Sequence, residues 1–143
     1  MQTVMTIPDL AAFLDEVFPQ VRGRFEILDL APHAAEVRMT ARDEDLRPGG
    51  TVSGPAMFAL ADVAFYIVTL AMIGPEPLTV TTSATIDFLR KPAPGRIIAS
   101  ARILKLGRSL SVGDVLLRSE GMEAPVARAG FTYSIPPVRA SRP

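Results

Sequence analysis

The sequence predicts an α+β fold in which an antiparallel sheet wraps around one long central helix. Three observations lead to this prediction. The stretch from Ser53 to Gly74 is apolar apart from one carboxylate, Asp62, and a helix that is apolar all round needs cover on every face. Strand-like segments precede and follow this stretch. Strands joined by short turns form antiparallel sheets, and they do not alternate here with helices as in a doubly wound sheet.

The N-terminal part is predicted to contain a short amphipathic helix at about residues 7–20. Its apolar residues recur at helical spacing and are Ala11, Phe13, Leu14, Val17 and Phe18. Two strands follow, RFEILDLA and AAEVRMTAR, with a turn at Pro32 and His33. In the second strand apolar and polar residues alternate, which predicts one buried face.

The central helix is expected to begin at Ser53, with Pro55 in its first turn, and to end at Gly74. Four strands are predicted after it: TVTTSATIDFLR, RIIASARILKL, SLSVGDVLLRSE and APVARAGFTYSI. The last strand should bury Ala127, Ala129, Phe131, Tyr133 and Ile135 on one face. The chain is interpreted as a single domain, residues 1–143, with a disordered or extended tail at about 137–143.

Composition excludes several classes of function. Lys and Arg number 15, as do Asp and Glu, so charge gives no argument for binding nucleic acid or an anionic membrane. The chain has no cysteine and one histidine, His33, so neither a disulfide framework nor a Cys or His metal site is expected. Asp62 near the middle of the apolar stretch argues against a membrane span. The N-terminus has no basic, then apolar, signal pattern, so a cytoplasmic protein is expected.

Three segments carry a family resemblance. GTVSGPAMFALADVA is similar to the signature of hotdog-fold acyl-CoA thioesterases of the PaaI-like, phenylacetate-pathway type, in which a His-Gly-Gly loop leads into a helix with a Leu-Ala-Asp setting. IDFLRKPAPG and LKLGRSLSVGDV resemble the strands that follow in that family. The resemblance covers about residues 45–135. It implies a hotdog-fold hydrolase that acts on an acyl-CoA and needs no metal or redox cofactor.

The resemblance also implies roles for individual residues. Asp62 stands where the family has its general base or nucleophile, and Gly54 where a backbone N–H polarises the thioester carbonyl. Thr81 matches the residue that holds the attacking water, with Thr82 as the alternative. The motif histidine is replaced here by Ser53, and the second glycine by Pro55.

Further substrate-binding residues are expected around these. Phe58, Phe65 and Tyr66 share the Asp62 side of the helix at helical spacing and are predicted to line an acyl pocket. Ser53 and Pro55 form the helix start next to the substrate, and Arg47 falls near a position where some family members have Asn. The cations Arg90, Lys91, Lys105 and Arg108 are candidates for contacts with the CoA phosphates. Several of these residues also have a structural interpretation: Asp62 paired with an Arg, Ser53 as an N-cap, the threonines as strand formers and the cations as a solvated sheet edge.

Helix geometry adds a constraint on quaternary structure. Gly54 and Asp62 are eight residues apart, or about 12 Å along a helix. One carbonyl group cannot lie within about 3 Å of both residues. If both are catalytic, they come from different subunits, so the sequence predicts a homodimer with composite sites. Family members form such dimers, often paired again into homotetramers.

Two other functions remain open from the sequence. The missing motif histidine favours a non-catalytic acyl-CoA-binding protein on the same fold. A hotdog enoyl-CoA hydratase or dehydratase is a third interpretation, but it needs a histidine beside a carboxylate, and His33 lies outside the motif.

Overall fold

The computed structural model describes residues 2–137. Within them the chain forms two α-helices and six strands. The elements in chain order are α1 (Ile7–Val17), β1 (Phe25–Ala31), β2 (Ala34–Thr40), α2 (Gly54–Ile73), β3 (Val80–Phe88), β4 (Arg96–Leu106), β5 (Leu110–Ser119) and β6 (Pro125–Ser134). The predicted tail falls outside the described residues, except for residue 137.

The six strands form one sheet in the order β1-β2-β4-β5-β6-β3, and every neighbouring pair is antiparallel. Helix α2 packs mainly against β4, β2 and β5 in the middle of this sheet. Strand β3 follows α2 in the chain but lies at the edge of the sheet, where it pairs only with β6. The α+β prediction of an antiparallel sheet around one long helix is therefore confirmed, and the architecture is that of the hotdog fold.

Local sequence signals fix both ends of α2. The Ser53 side-chain oxygen accepts a hydrogen bond from the Ala56 backbone N–H at 3.2 Å, which satisfies one of the unpaired donors at a helix start. At the other end Gly74 adopts a φ of 102°, a conformation that favours glycine. By length and composition α2 could cross a membrane, but 72% of its apolar window is buried inside the protein. Packing within the chain thus accounts for its apolarity.

Burial is not uniform along α2. The helix is buried continuously from Ala64 to Met72. The N-terminal half, in contrast, leaves a row of residues partly or fully exposed, which we call the open stripe: Pro55, Phe58, Ala59, Asp62 and Val63. The expectation of cover on every face thus holds only for the C-terminal half, because no element among residues 2–137 fully covers the stripe.

Two further local predictions can be compared with the structure. The alternate residues of β6 from Ala127 to Tyr133 are all buried, as is Ile135 directly after the strand, as predicted. Helix α1 ends at Val17 rather than near residue 20. Proline disfavours helical conformation in the residue before it, and Pro19 starts a separate 3₁₀ turn that ends at Val21.

Candidate functional site

Asp62 lies midway along α2 with its carboxylate held by two hydroxyl groups. Thr81 Oγ1 donates to Asp62 Oδ1 at 2.8 Å, and the Tyr133 hydroxyl lies 2.5 Å from the same oxygen. The Tyr133 hydroxyl is also 2.8 Å from the backbone carbonyl oxygen of Asp62. No ion pair among residues 2–137 includes Asp62. The lone carboxylate is thus partnered by neutral donors and not by an arginine.

The register of the sheet brings the two hydroxyls together. Thr81 of β3 and Tyr133 of β6 are directly opposite each other in the ladder, so their side chains lie on the same face, towards α2. A register shift follows between Thr81 and Ser83. Thr82 makes a different contact, since its Oγ1 donates to the Thr132 carbonyl at 3.1 Å. Of the two threonines, Thr81 is the one at the carboxylate.

Both tyrosines near Asp62 stay protonated at neutral pH. Burial, and next the negative charge of Asp62, raise the pKa of Tyr133 far above its ordinary value. Burial raises the pKa of Tyr66 to about 12, and its hydroxyl donates to the Pro77 carbonyl at 3.3 Å. Tyr133 is therefore a hydrogen-bond donor towards Asp62.

A cavity of about 250 Å³ opens beside this carboxylate, and we call it the Asp62 cavity. Its lining consists of Leu14, Phe18, Val21, Asp62, Val63, Tyr66, Thr79, Val80, Thr81 and Tyr133. Phe18, at the end of α1, meets the ring of Tyr66 edge-on with 5.6 Å between the centroids. Thr79 adds a buried hydroxyl with no hydrogen-bond partner among residues 2–137. The cavity is otherwise largely apolar around one carboxylate, which suits an apolar group joined to a polar reacting centre.

A second cavity, of about 440 Å³, lies at the N-terminus of α2, and we call it the Gly54 cavity. Its lining consists of Arg47, Thr51, Val52, Gly54, Pro55, Met57, Phe88, Leu89, Arg90, Lys91 and Pro92. A Cβ on Gly54 would lie 3.0 Å from Cζ of Phe88, so a side chain at this position would require the Phe88 ring to shift by a few tenths of an ångström. Backbone N–H groups at a helix start and three cationic side chains together favour an anionic ligand.

The structure groups most of the predicted site residues into these two cavities. Asp62, Thr81 and Tyr66 line the first. The second is lined by Arg47, Gly54, Pro55, Arg90 and Lys91. Because Gly54 and Asp62 are eight residues apart on one helix, the two cavities of one protomer are separate, about 12 Å apart along the helix axis.

The remaining predicted residues lie outside both cavities. Ser53 caps α2, and Arg108 is exposed in the turn between β4 and β5. Phe65 is completely buried and stacks on Phe131 with 5.6 Å between the centroids. Phe58 also packs against Phe131. Phe65 thus forms core behind the site, because the aromatic side chains of β6 meet this side of the helix, whereas Phe58 stays partly exposed on the open stripe.

Seven of the ten residues that line the Asp62 cavity were not predicted as site residues. Among these seven, Tyr133 holds the carboxylate and Phe18 contacts the ring of Tyr66. Tyr133 lies on the inward face of β6, and a buried tyrosine hydroxyl usually has a hydrogen-bond partner. This requirement was the signal in the sequence that could have pointed to Tyr133 as a partner of Asp62. Phe18 ends the apolar stripe of α1. Among the described residues, no three His, Asp or Glu side chains lie close enough to hold a metal ion.

Comparisons with known proteins agree with this fold. Residues 49–126 match the family model described as the thioesterase superfamily. No curated protein matches the chain. A crystal structure of a proposed thioesterase from Silicibacter sp. TM1040 is 56% identical, covers 96% of both chains and superposes with a TM-score of 0.89.

Two other solved structures are more distant. A mutant of the phenylacetic acid degradation protein PaaI from Thermus thermophilus is 31% identical, covering 82% of this chain and 99% of that one, with a TM-score of 0.71. A protein of Streptococcus mutans UA159, bound to acetyl CoA, is 23% identical over 80% of this chain and 90% of that one, also with a TM-score of 0.71. The similarity to the Streptococcus mutans protein supports the fold alone.

Proposed function

The chain belongs to the thioesterase superfamily, with a PaaI-like hotdog fold, and we propose on this premise that it hydrolyses acyl-CoA thioesters to a free acid and CoA. The observation that carries the proposal is the Asp62 carboxylate, held by two hydroxyls in the wall of an otherwise largely apolar cavity. The acetyl CoA bound to the Streptococcus mutans relative supports a CoA thioester as the ligand class.

The proposed reaction uses water as the nucleophile and Asp62 as the general base. Water attacks the thioester carbonyl carbon while Asp62 takes one of its protons, and the carbonyl oxygen becomes negative. The carbon–sulfur bond then breaks, and the proton passes from Asp62 to the sulfur of CoA. Thr81 donates to Asp62 Oδ1, so its oxygen retains lone pairs that can accept a hydrogen bond from the attacking water.

The oxyanion would be stabilised by the N-terminus of α2 from a partner subunit. Strand β3 starts at the Asp62 cavity with Val80 and Thr81 and ends at the Gly54 cavity with Phe88. Pairing two β3 strands antiparallel about a two-fold axis sets the start of one beside the end of the other. The Asp62 cavity of one protomer would then adjoin the Gly54 cavity of its partner, with Gly54 N–H directed at the carbonyl.

Exposed apolar surface supports this pairing. Among residues 2–137, β3 has a strand neighbour on one side only. Its exposed apolar residues include Val80 and Phe88, which are 55% and 52% accessible. An unpaired apolar edge is a template for another strand, and the open stripe of α2 would be covered by the same partner. A further pairing into tetramers, and a cytoplasmic location, remain predictions.

The Gly54 cavity would hold the CoA portion of the substrate. Arg47, Arg90 and Lys91 line it, and cations of this kind bind phosphate groups. The acyl group would enter the Asp62 cavity of the neighbouring protomer.

The first experiment measures thiol release from acyl-CoAs, from acetyl to palmitoyl and including phenylacetyl and benzoyl, with a thiol-reactive dye. The protein has no cysteine, so the dye reports only the thiol of CoA. Asp62→Asn is expected to lower kcat by about 10²- to 10⁴-fold, the usual contribution of a general base. The matched control is Asp114→Asn, which removes a carboxylate paired with Arg102 on β4; its turnover should equal that of the wild type.

Full turnover in Asp62→Asn would refute the proposed base. A second candidate function is that of a non-catalytic acyl-CoA-binding protein, which the serine at the motif histidine position favours. Calorimetric binding of these acyl-CoAs with no turnover of any would establish that function instead.

A further inference from the structure

We propose that Tyr133 is a positioning residue for the reaction, with a hydroxyl that fixes the Asp62 carboxylate so that Oδ2 is the oxygen that takes the proton from water. This inference rests on the proposed function and deepens it. Tyr133 does not touch the reacting atoms. It acts through Asp62.

The two oxygens of the Asp62 carboxylate have different hydrogen-bond partners. Oδ1 accepts a hydrogen bond from the Thr81 hydroxyl at 2.8 Å and another from the Tyr133 hydroxyl at 2.5 Å. Among residues 2–137, no group donates a hydrogen bond to Oδ2. A carboxylate oxygen that already accepts two hydrogen bonds is a weaker proton acceptor than its neighbour, because the donors stabilise its charge. The arrangement therefore leaves Oδ2 for the attacking water.

The Tyr133 hydroxyl has one proton and two acceptors within reach, Asp62 Oδ1 and the Asp62 backbone carbonyl. The carbonyl also belongs to the hydrogen-bonded interior of α2. The charged and closer acceptor therefore takes the proton, since hydrogen bonds to ionised groups are the shorter and stronger ones. Because the pKa of Tyr133 is raised by burial and by the Asp62 charge, the hydroxyl keeps this proton at neutral pH.

The ring of Tyr133 is held on several sides. The residue is 2% exposed. Its ring centroid is 5.3 Å from that of Phe65 and 6.2 Å from that of Phe131. The backbone is fixed as well, because β6 lies inside the sheet between β5 and β3. A hydroxyl on such a ring is presented at one point, which is what orientation of a catalytic group requires.

A purely structural link between α2 and the sheet would behave differently, and the chain contains one for comparison. Thr69 Oγ1 and Ser111 Oγ form a hydrogen bond of 3.0 Å, and both residues are completely buried. Thr69 lies on α2 seven residues beyond Asp62, about 10 Å along the axis. Loss of this hydroxyl should weaken the fold without moving the carboxylate.

The test compares Tyr133→Phe with Thr69→Val, measuring kcat, KM and Tm. Tyr133→Phe keeps the ring and its packing. We expect its kcat to fall about 10- to 100-fold, as for the loss of a hydrogen bond to a charged group, with KM within about twofold. Thr69→Val should lower Tm but keep kcat within about twofold of the wild type. Unchanged kcat in Tyr133→Phe, or a change in KM alone, would overturn the inference.

Crystal structures of the two variants give a readout that does not depend on turnover. In Tyr133→Phe the Asp62 carboxylate should rotate or occupy two conformers, and in Thr69→Val it should stay as in the wild type. An unmoved carboxylate in Tyr133→Phe would refute the positioning role, even if no acyl-CoA is hydrolysed. Loss of activity in Asp62→Asn but not in Tyr133→Phe would refute the inference and leave the proposed function intact.

Discussion

At the scale of single residues, the partners of Asp62 determine what the carboxylate can do. An arginine would compensate its charge directly and occupy both oxygens in a bidentate pair. Two neutral hydroxyls on Oδ1 satisfy a partly buried carboxylate and orient it, yet leave the second oxygen available. This is the arrangement that a base acting on water needs.

Ser53 provides a stability prediction at the same scale. Ser53→Ala removes the oxygen that accepts from the Ala56 N–H, so the free energy of unfolding should fall by about 1 kcal/mol. Urea denaturation followed by circular dichroism measures this difference. Ser53→Asp is the matched control, because aspartate also caps helices and its charge suits a helix N-terminus.

Equal stability of the alanine and aspartate variants would contradict the capping role. Turnover separates capping from chemistry: Ser53→Ala should keep kcat within about twofold, because capping alone does not involve the reacting atoms. Complete loss of turnover in a folded Ser53→Ala protein would show that the serine takes part in the reaction.

Sequence reasoning located some site residues and missed others for physical reasons. Asp62 was found because a single charge in a long apolar segment needs an explanation. Tyr133 was assigned only to the core, because alternation along β6 gives the face of a side chain and not its cross-strand neighbours. Phe65 was predicted to line the acyl pocket but lies in the core. Helical spacing gives the direction of a side chain, but not which strand packs over it.

At the scale of elements, predicted strand bounds differ from the observed ones by only a few residues, whereas strand order was not predictable. Turn residues and alternation are local signals. The pairing of β3 with β6, across the sheet from β1, depends on contacts distant in sequence. One local signal for an edge existed, since β3 is rich in threonine and serine and shows no clear alternation of apolar residues.

The end of α1 provides a prediction about acyl selectivity. Phe18 lines the Asp62 cavity with its ring against Tyr66. Phe18→Ala should enlarge the cavity, so kcat/KM for long acyl chains should rise relative to short ones by about tenfold, the scale of a few methylene contacts. Thiol release across the acyl-CoA series measures the ratio.

Phe13→Ala is the control for this prediction. Phe13 packs against the core from α1 but does not line the Asp62 cavity. Phe13→Ala should lower Tm and leave the order of preference among acyl chains unchanged. The same shift in preference in both variants would mean that loosening of α1, and not the volume at Phe18, changes selectivity.

At the scale of the whole molecule, the acidic and basic side chains are equal in number but unevenly distributed. Arg38, for example, pairs with Glu26 and Glu120 on the sheet. No ion pair among residues 2–137 includes the cations of the Gly54 cavity, Arg47, Arg90 and Lys91. A chain with no net charge can therefore still contain a local cluster of positive side chains. The composition argued only against a large cationic surface.

Quaternary structure leads to the last prediction, a complementation experiment on the composite site. Asp62→Asn and Gly54→Val subunits are each expected to form folded but inactive homodimers. In Gly54→Val the new side chain would press on the Phe88 ring, which a Cβ alone approaches to 3.0 Å. Random exchange of equal amounts gives heterodimers with one site that carries both defects and one that carries neither. About one quarter of all sites in the mixture should then be intact, so its activity should reach about one quarter of the wild-type value.

The control for complementation mixes Asp62→Asn with Thr81→Val. Both residues belong to the Asp62 cavity of one protomer, so each site of the heterodimer would carry one defect, and no activity should return. Recovery in the first mixture but not in the second requires that Gly54 and Asp62 act from different subunits. No recovery in either mixture, with exchange verified by mass-tagged subunits, would place the whole reaction within one protomer. In that case Gly54 could not be the donor, because the helix keeps it about 12 Å from Asp62.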